Sequence, residues 1–336
     1  MESFEYASPS TVKEALALLG ANFEDASLYG GGTDLLSLLK DNVEDTKRLV
    51  NVKKIGALHA IQNEDGGLRV GAAVTLEQLI SASDVREHFR AITDAAENIS
   101  SPQIHNMATV GGWICQRPRC WYYRNGFGLL ALDKDGHSLV AQGDNRYHAI
   151  FGNSGPAKFI SPSSLGPALA VFDGRIHIEG SNGPREVSVA EFFVVPQKEG
   201  EREHALGPRE IVTAISIPAS SRGVKSAMYE VRQKEGMDWP LTSAAVALQM
   251  RGNTVERARI VLGHVAPKPW PADDAAKSLE GKSLDEATAA KAGDLAVQGA
   301  TPLSRNAYKV QLARVSVKRA LLRAAGIPFA EAKGAA

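Results

Sequence analysis

Three consecutive glycines, Gly30, Gly31 and Gly32, stand between a short apolar run and a leucine-rich segment in "SLYGGGTDLLSLLKD", residues 27–41. No other short stretch limits the local fold as strongly. Leu28 and Tyr29 close a run suited to a β-strand. Leu35, Leu36, Leu38 and Leu39 then share one helical face, with Thr33 or Asp34 as a good N-cap residue. Strand, glycine turn, helix is the local order, and it aims backbone N–H groups and a helix dipole at one point. Glycine admits a phosphate where a Cβ would block it, and it accepts positive φ. On these residues alone, a plain tight turn accounts for the triplet equally well.

The dinucleotide fingerprint G-x-G-x-x-G is not met. Read from Gly30, the pattern runs G-G-G-T-D-L, with Leu35 where the third glycine belongs. An acidic ribose partner is due about 20 residues on, where "RLVNVKKI" offers Asn51. A nicotinamide-binding Rossmann domain is therefore not expected. A second loop, "SPQIHNMATVGGWICQ" (residues 101–116), repeats the small-polar-then-apolar texture with Thr109, Gly111 and Gly112. Two such loops suggest two walls closing on an extended ligand with a diphosphate in its middle.

A chain of 336 residues has room for two domains with full cores. The division falls near residue 222, after "EIVTAISIP" and the polar "ASSRG". Beyond it come three β-type runs, "SAMYEVRQK", "TSAAVALQMRG" and "TVERARIVLGHVAP", and then helical patterns. Thirty-eight basic residues balance thirty-eight acidic ones, so nothing argues for nucleic acid or an anionic membrane as partner. No apolar run reaches the roughly 18 residues of a membrane span. "MESFEYASPS" lacks a basic region followed by an apolar stretch, so no secretory signal is expected. Cys115 and Cys120 are the only cysteines, which rules out a disulfide framework and makes a reducing compartment the default.

"GGGTDLL" and "ATVGG" together resemble the paired FAD-binding motifs of the medium subunit of the xanthine dehydrogenase and carbon monoxide dehydrogenase family, the flavin subunits of molybdenum hydroxylases. "SPSTVKEALALLG", "VGAAVTLEQL", "SAAVAL" and "ARIVLGHVAPKPW" are similar to further segments of that family, and "QRPRCWYYRN" with "YHAIFG" resembles the three-subunit aldehyde oxidoreductases. The resemblance implies an α+β fold. A two-part, PCMH-like FAD-binding domain, residues 1–222, would precede a smaller domain of three antiparallel strands with helices, residues 223–330.

It also implies site residues. Leu28, Tyr29, Gly30, Gly31, Gly32, Thr33, Asp34, Leu35 and Leu36 would cradle the diphosphate of a non-covalent FAD through backbone and N-cap contacts. Thr109, Gly111, Gly112 and Gln116 would form the second wall, and Ile211 would lie against a flavin or adenine ring. Ser164, in "SPSS", stands at the cofactor-contacting place of the family's aspartate. Two more departures are Trp113, where the family has a small residue, and Glu230, where related sequences often have lysine.

In the similar subunits the loop after "ATVGG" holds four cysteines around a [4Fe–4S] cluster, which normally takes four thiolates. Here only Cys120 matches, while Leu129, Leu130, Ser138 and Ala157 mark a region without the others, so no cluster is expected in this chain. Arg117 and Arg119 would favour a thiolate at the two cysteines, although leftover structural thiols are the simpler reading. His137 and His148 have no partners at metal-ligand spacing, so no metal site is expected. Lys309, Arg314, Lys318, Arg319 and Arg323 read as a solvated face of the last helix.

By the resemblance, substrate is hydroxylated at a molybdenum cofactor in a large partner subunit. Electrons pass through [2Fe–2S] clusters in a small partner to FAD here, and then to an external acceptor. No acid–base pair or nucleophile is needed, and none stands at a convincing spacing. A stand-alone flavin oxidoreductase and a scaffold that has lost flavin remain as alternatives. The expected compartment is cytoplasmic, or periplasmic if a signal-bearing partner exports the folded complex.

Overall fold

The computed structural model describes residues 1–233 and 238–330. Near the N-terminus a small parallel sheet has the order β1 (Glu5–Ala7), β3 (Arg48–Asn51), β2 (Ser27–Tyr29), with Leu28 opposite Val50. Parallel neighbours need crossovers, and the helices Val12–Ala17 and Leu35–Lys40 lie in the two connections. Thr11 caps the first of these helices, its hydroxyl accepting from Glu14 N at 3.1 Å.

The second sheet is antiparallel and mixes distant parts of the chain. Its order is β4 (Ile61–Gln62), β5 (Leu68–Gly71), β8 (Glu210–Ile217), β6 (Arg175–Gly180), β7 (Gly183–Ser188). Val70 pairs with Ile215, and both are buried in a cluster with Phe89, Phe172 and Phe192.

The third sheet is built from β9 (Lys225–Val231), β10 (Thr242–Arg251), β11 (Thr254–Gly263) and β12 (Trp270–Pro271), in the order β12-β11-β10-β9. The three strands legible in the sequence form it together with a fourth. Two residues, one of them proline, carry no strand signal of their own. Trp270 pairs with Leu262 and stacks on Phe151 at 5.2 Å. The nearly continuous apolar run of β10 reflects cover on both faces. Ala244, Val246 and Leu248 pack with Ala313, Val317 and Leu321 of the helix Tyr308–Ala325, whereas Ala245 and Ala247 join the cluster of the N-terminal half. Asp94, 4% exposed, ties the halves: it accepts from Met228 N at 2.9 Å and pairs with Arg90 at 2.6 Å. No helix among the described residues is long and apolar enough to cross a membrane.

The last helix corrects one expectation. Arg314 and Lys318 pair at the surface with Asp294 and Glu286. Lys309, however, is fully buried and donates to the carbonyls of His264 at 2.7 Å, His148 at 3.1 Å and Tyr147 at 3.4 Å. Those carbonyls sit in irregular segments, and an ammonium with three donors satisfies them together. Arg319 and Arg323 lie over the Tyr229 ring at 5.3 and 4.9 Å.

His264 sits in the same interior, its Nδ1 3.0 Å from Ser243 Oγ and its Nε2 3.3 Å from the Pro162 carbonyl. Burial, and then the charge of Lys309, hold it down to about 3 from an ordinary 6.5. Between those values the unfolded chain binds a proton that the folded chain does not, so stability falls as pH falls. His264 alone is expected to remove about 2 kcal/mol between pH 7 and pH 5. Urea midpoints at the two pH values, for wild type and His264→Gln, check this. Equal pH slopes for the two proteins would show that His264 does not carry the effect.

Candidate functional site

The strand β2 ends at Tyr29, and the chain turns through the three glycines into Leu35–Lys40. Each glycine is required for a different reason. A Cβ on Gly31 would stand 1.8 Å from the Met107 carbonyl oxygen, and one on Gly30 would stand 2.7 Å from Thr109 Oγ1. Gly32 has φ +71°, and its Cβ would meet the Tyr29 ring at 2.5 Å. The triplet therefore lets the two glycine loops, far apart in sequence, press together backbone to backbone.

That approach shapes a cavity of about 230 Å³. Leu28, the three glycines, Thr33, Asp34, Leu35, Thr109, Gly111, Gly112, Gln116 and Ile211 all line it. Tyr29 and Leu36 do not. They brace the turn from behind, both side chains standing close to Gly32, with Lys53 Nζ 4.9 Å over the Tyr29 ring. The backbone N–H groups of Gly31, Gly32, Thr33, Asp34 and Leu35 find no acceptor among the described residues. Five successive free donors at a cavity wall suit a multiply charged oxyanion.

The second loop differs in kind. Val110 N donates to Val74 O at 2.9 Å, Gly111 N to Ala72 O at 2.8 Å, and Gly112 N to Thr109 Oγ1 at 3.2 Å. Its amides are already spent, so this wall offers shape and the Thr109 hydroxyl proton. Gln116 is likewise occupied, its amide nitrogen donating to Trp113 O at 3.1 Å and Pro162 O at 3.3 Å.

Asp34 stands at the N-cap position of Leu35–Lys40 without making a side-chain cap bond. The expected cap contact is replaced by arginines. Asp34 Oδ2 accepts from the Arg117 backbone N–H at 2.7 Å, and Oδ1 pairs with Arg124 at 2.8 Å and Arg119 at 3.0 Å. Two guanidinium groups on one carboxylate offer it more than a single backbone N–H at the cap would. Asp34 thus pins residues 117–124 against the glycine turn. Beyond it, Arg117 lies between Glu44 at 2.8 Å and Glu203 at 2.6 Å, and Arg202 pairs with Glu44 at 3.2 Å while covering the Phe23 ring at 3.7 Å. Burial pushes the Glu44 carboxyl up, but Arg117 and Arg202 more than offset this and hold it below its usual value. Phe23, Glu44, Arg117, Arg202 and His204 line the cavity. "RPRCWYYR" was the only sequence signal pointing to any of them.

A second cavity, also about 230 Å³, shares Thr33, Asp34, Gly112 and Gln116 with the first. Ser164 lines this one rather than the first, together with Trp113, Arg232 and the half-exposed Trp239. The glycine turn therefore sits at the junction of two compartments.

The cysteines carry no thiolate. Cys115 lines the first cavity, and burial, then the charge of Glu203, push it up to about 12. The Cys120 sulfur lies 3.1 Å from His148 Nε2; burial pushes its thiol up, and burial with Lys309 holds His148 down to about 4. Burial outweighs the neighbouring arginines: Arg124 still favours the Cys120 thiolate, while Arg117 and Arg119 are paired with Glu44, Glu203 and Asp34. His137, read as lacking ligand partners, does have Asp133 and Asp135 within 4.8 Å. The Asp133 carboxylate accepts from the backbone N–H groups of Asp135 and His137, which accounts for the cluster as a surface turn.

Residues 2–220 match the FAD binding domain in molybdopterin dehydrogenase, and residues 227–324 match the CO dehydrogenase flavoprotein C-terminal domain. The chain is 29% identical to the aldehyde oxidoreductase FAD-binding subunit PaoB of Escherichia coli (strain K12), over 96% of this chain and 99% of that relative. It is 30% identical to the carbon monoxide dehydrogenase medium chain of Hydrogenophaga pseudoflava, over 95% and 96%. A chain of the Cu,Mo-CO dehydrogenase crystal structure superposes with a TM-score of 0.76 at 26% identity, covering 97% of this chain and 98% of that one.

Proposed function

Because this chain belongs to the family of FAD-binding medium subunits of molybdenum hydroxylase complexes, we propose that its two joined cavities hold one non-covalent FAD, and that the chain relays electrons from a [2Fe–2S] small subunit to an external acceptor. Substrate oxidation then belongs to a large subunit carrying the molybdenum cofactor. The observation that carries this reading is the row of five free backbone donors, residues 31–35, at the junction of the cavities. A diphosphate is the central part of FAD, and this row is where it fits.

The residues present suit the rest of the cofactor. Leu28, Val52, Ile211 and Val212 give the first cavity apolar walls for the adenosine end. Ser164, Arg232, Arg119 and Trp113 give the second cavity the polar and aromatic groups that the isoalloxazine ring needs along its edge and face. Thr109 closes the wall between the loops, and Tyr29 and Leu36 keep the turn in shape. Asp34 holds residues 117–124 over the junction. Bound FAD supplies exchange between carriers of single electrons and acceptors of pairs; the chain supplies position and charge. In domain terms, residues 1–222 provide the cradle and residues 223–330 provide Arg232, Trp239 and Pro240 to the second cavity. With two cysteines where a [4Fe–4S] cluster takes four, the isolated chain is expected to bind FAD and no iron.

Purification of the tagged chain from its native cells tests the reading. FAD, molybdenum and iron should co-purify with a large and a small partner, and the separated chain should retain flavin alone. A tagged chain that emerges free of partners, or a complex without flavin, would contradict it. Fractionating the cells in the same experiment distinguishes a cytoplasmic from a periplasmic complex.

A further inference from the structure

Ion pairing does not exhaust what Arg202 offers to the first cavity. Its guanidinium donates to Glu44 at 3.2 Å, and a guanidinium donates in its own plane. Its two faces are therefore left for stacking. The guanidinium carbon stands 3.7 Å from the centre of the Phe23 ring, the closest cation–ring approach among the described residues. At that distance the group lies flat on the ring, because an upright guanidinium would drive a nitrogen into the ring carbons. Phe23 thus covers one face. Phe23 and Arg202 both line the cavity, together with the apolar Leu19, Ala26 and Leu206. The Arg202 side chain is 27% exposed, which leaves its second face within reach of a ligand there.

We propose that Arg202, backed by Phe23, is the shelf on which the adenine of FAD stacks, so that binding in the first cavity depends on the base. The inference rests on the FAD reading above, with the adenosine end in this cavity. A guanidinium is flat, weakly hydrated and stacks on aromatic faces, which an ammonium cannot do. Adenine offers that cation an electron-rich face, whereas the oxidised isoalloxazine ring is electron-poor. The shelf therefore also sets which end of FAD enters which cavity. Phe23 fixes the plane before the ligand arrives, so little side-chain freedom is lost on binding.

Competition against FAD by ADP and by ribose 5-diphosphate, which is ADP without its base, tests the stack apart from the charge. In wild type the base should favour ADP by more than about tenfold, and in Arg202→Met that preference should fall about tenfold. Glu44 keeps Arg117 at 2.8 Å and the Tyr123 hydroxyl in that variant. Lost attraction between Arg202 and the diphosphate, or a merely structural role, weakens both ligands alike and cancels in the ratio. An unchanged ratio in Arg202→Met, or a wild type that treats the two ligands alike, would overturn the inference and leave the FAD reading standing. A wild-type chain that binds no FAD would instead defeat that reading. If Arg202→Met does not fold, Arg202→Lys keeps the charge beside Glu44 and loses the plane. Its preference for ADP should fall about threefold, and a wild-type ratio there overturns the inference on its own.

Discussion

Gly31→Ala is expected to yield a folded chain that no longer retains FAD through purification. The added Cβ would stand 1.8 Å from the Met107 carbonyl oxygen and 2.5 Å from its carbon, both backbone atoms that cannot rotate away. The glycine turn and the second loop must then separate, which by analogy with overpacked cores costs about 1–3 kcal/mol or more. That cost falls on the one geometry that holds the five free N–H groups opposite Thr109. Each 1.4 kcal/mol is a factor of ten in affinity, so FAD should bind roughly 10- to 100-fold more weakly. Gly126→Ala is the control. Gly126 has φ +84°, so alanine is strained there too, but nothing lies within 4 Å of the added Cβ, and FAD binding should not change. Equilibrium titration of both variants with FAD decides the matter. Wild-type affinity in Gly31→Ala would mean that the loops do not need their close approach.

Arg117→Ala should destabilise the chain more than any other single change around the site. Its guanidinium lies between Glu44 and Glu203, whose side chains are 20% and 3% exposed. Arg202 still pairs with Glu44 after the change. Among the described residues Glu203 then keeps the more distant charge of Arg202 and, 3.9 Å away, His204, which burial holds down to about 4 and so leaves neutral. Removing one partner of a buried pair strands the other charge, at a cost of about 3–5 kcal/mol. In a chain of 336 residues that corresponds to a fall in Tm of roughly 4–7 °C. Adding Glu203→Gln to Arg117→Ala should recover part of the loss, because the stranded charge is gone. A single variant within about 1 kcal/mol of wild type, with no recovery in the double, would show that the network is not strongly coupled.

Much of the site could be read from residues that act through their own backbone. Glycine triplets advertise turns and close approach, and both loops proved to line one cavity. Their purpose was only half legible, however. The sequence suggested glycine as room for phosphate, whereas at Gly31 the room is taken by the other loop, and the free N–H groups are the result. Side chains answering to distant partners were hidden. Asp34 looks like a cap within its own segment, yet Arg117, Arg119 and Arg124 claim it from more than 80 residues away. Lys309 looks like one more charge on a basic helix until the carbonyls of residues 147, 148 and 264 are brought beside it. The Cys120–His148 contact joins residues 28 apart.

The fold shows the same division. The strands β9 to β11 were legible because they follow one another and pair with their sequence neighbours. The second sheet was not, since β5 pairs with β8 across most of the N-terminal half. The strand β12 exists only because Trp270 finds Phe151 to stack on and β11 to pair with.

The most direct measurement is the FAD content of the purified chain after saturation with FAD and removal of the excess, with the released cofactor identified chromatographically. One FAD per chain, freed by acid denaturation and absent from the precipitated protein, is the expected result, with Gly31→Ala losing it. A wild-type chain that stays colourless and leaves flavin fluorescence unchanged would contradict the cradle, and with it the electron-relay role.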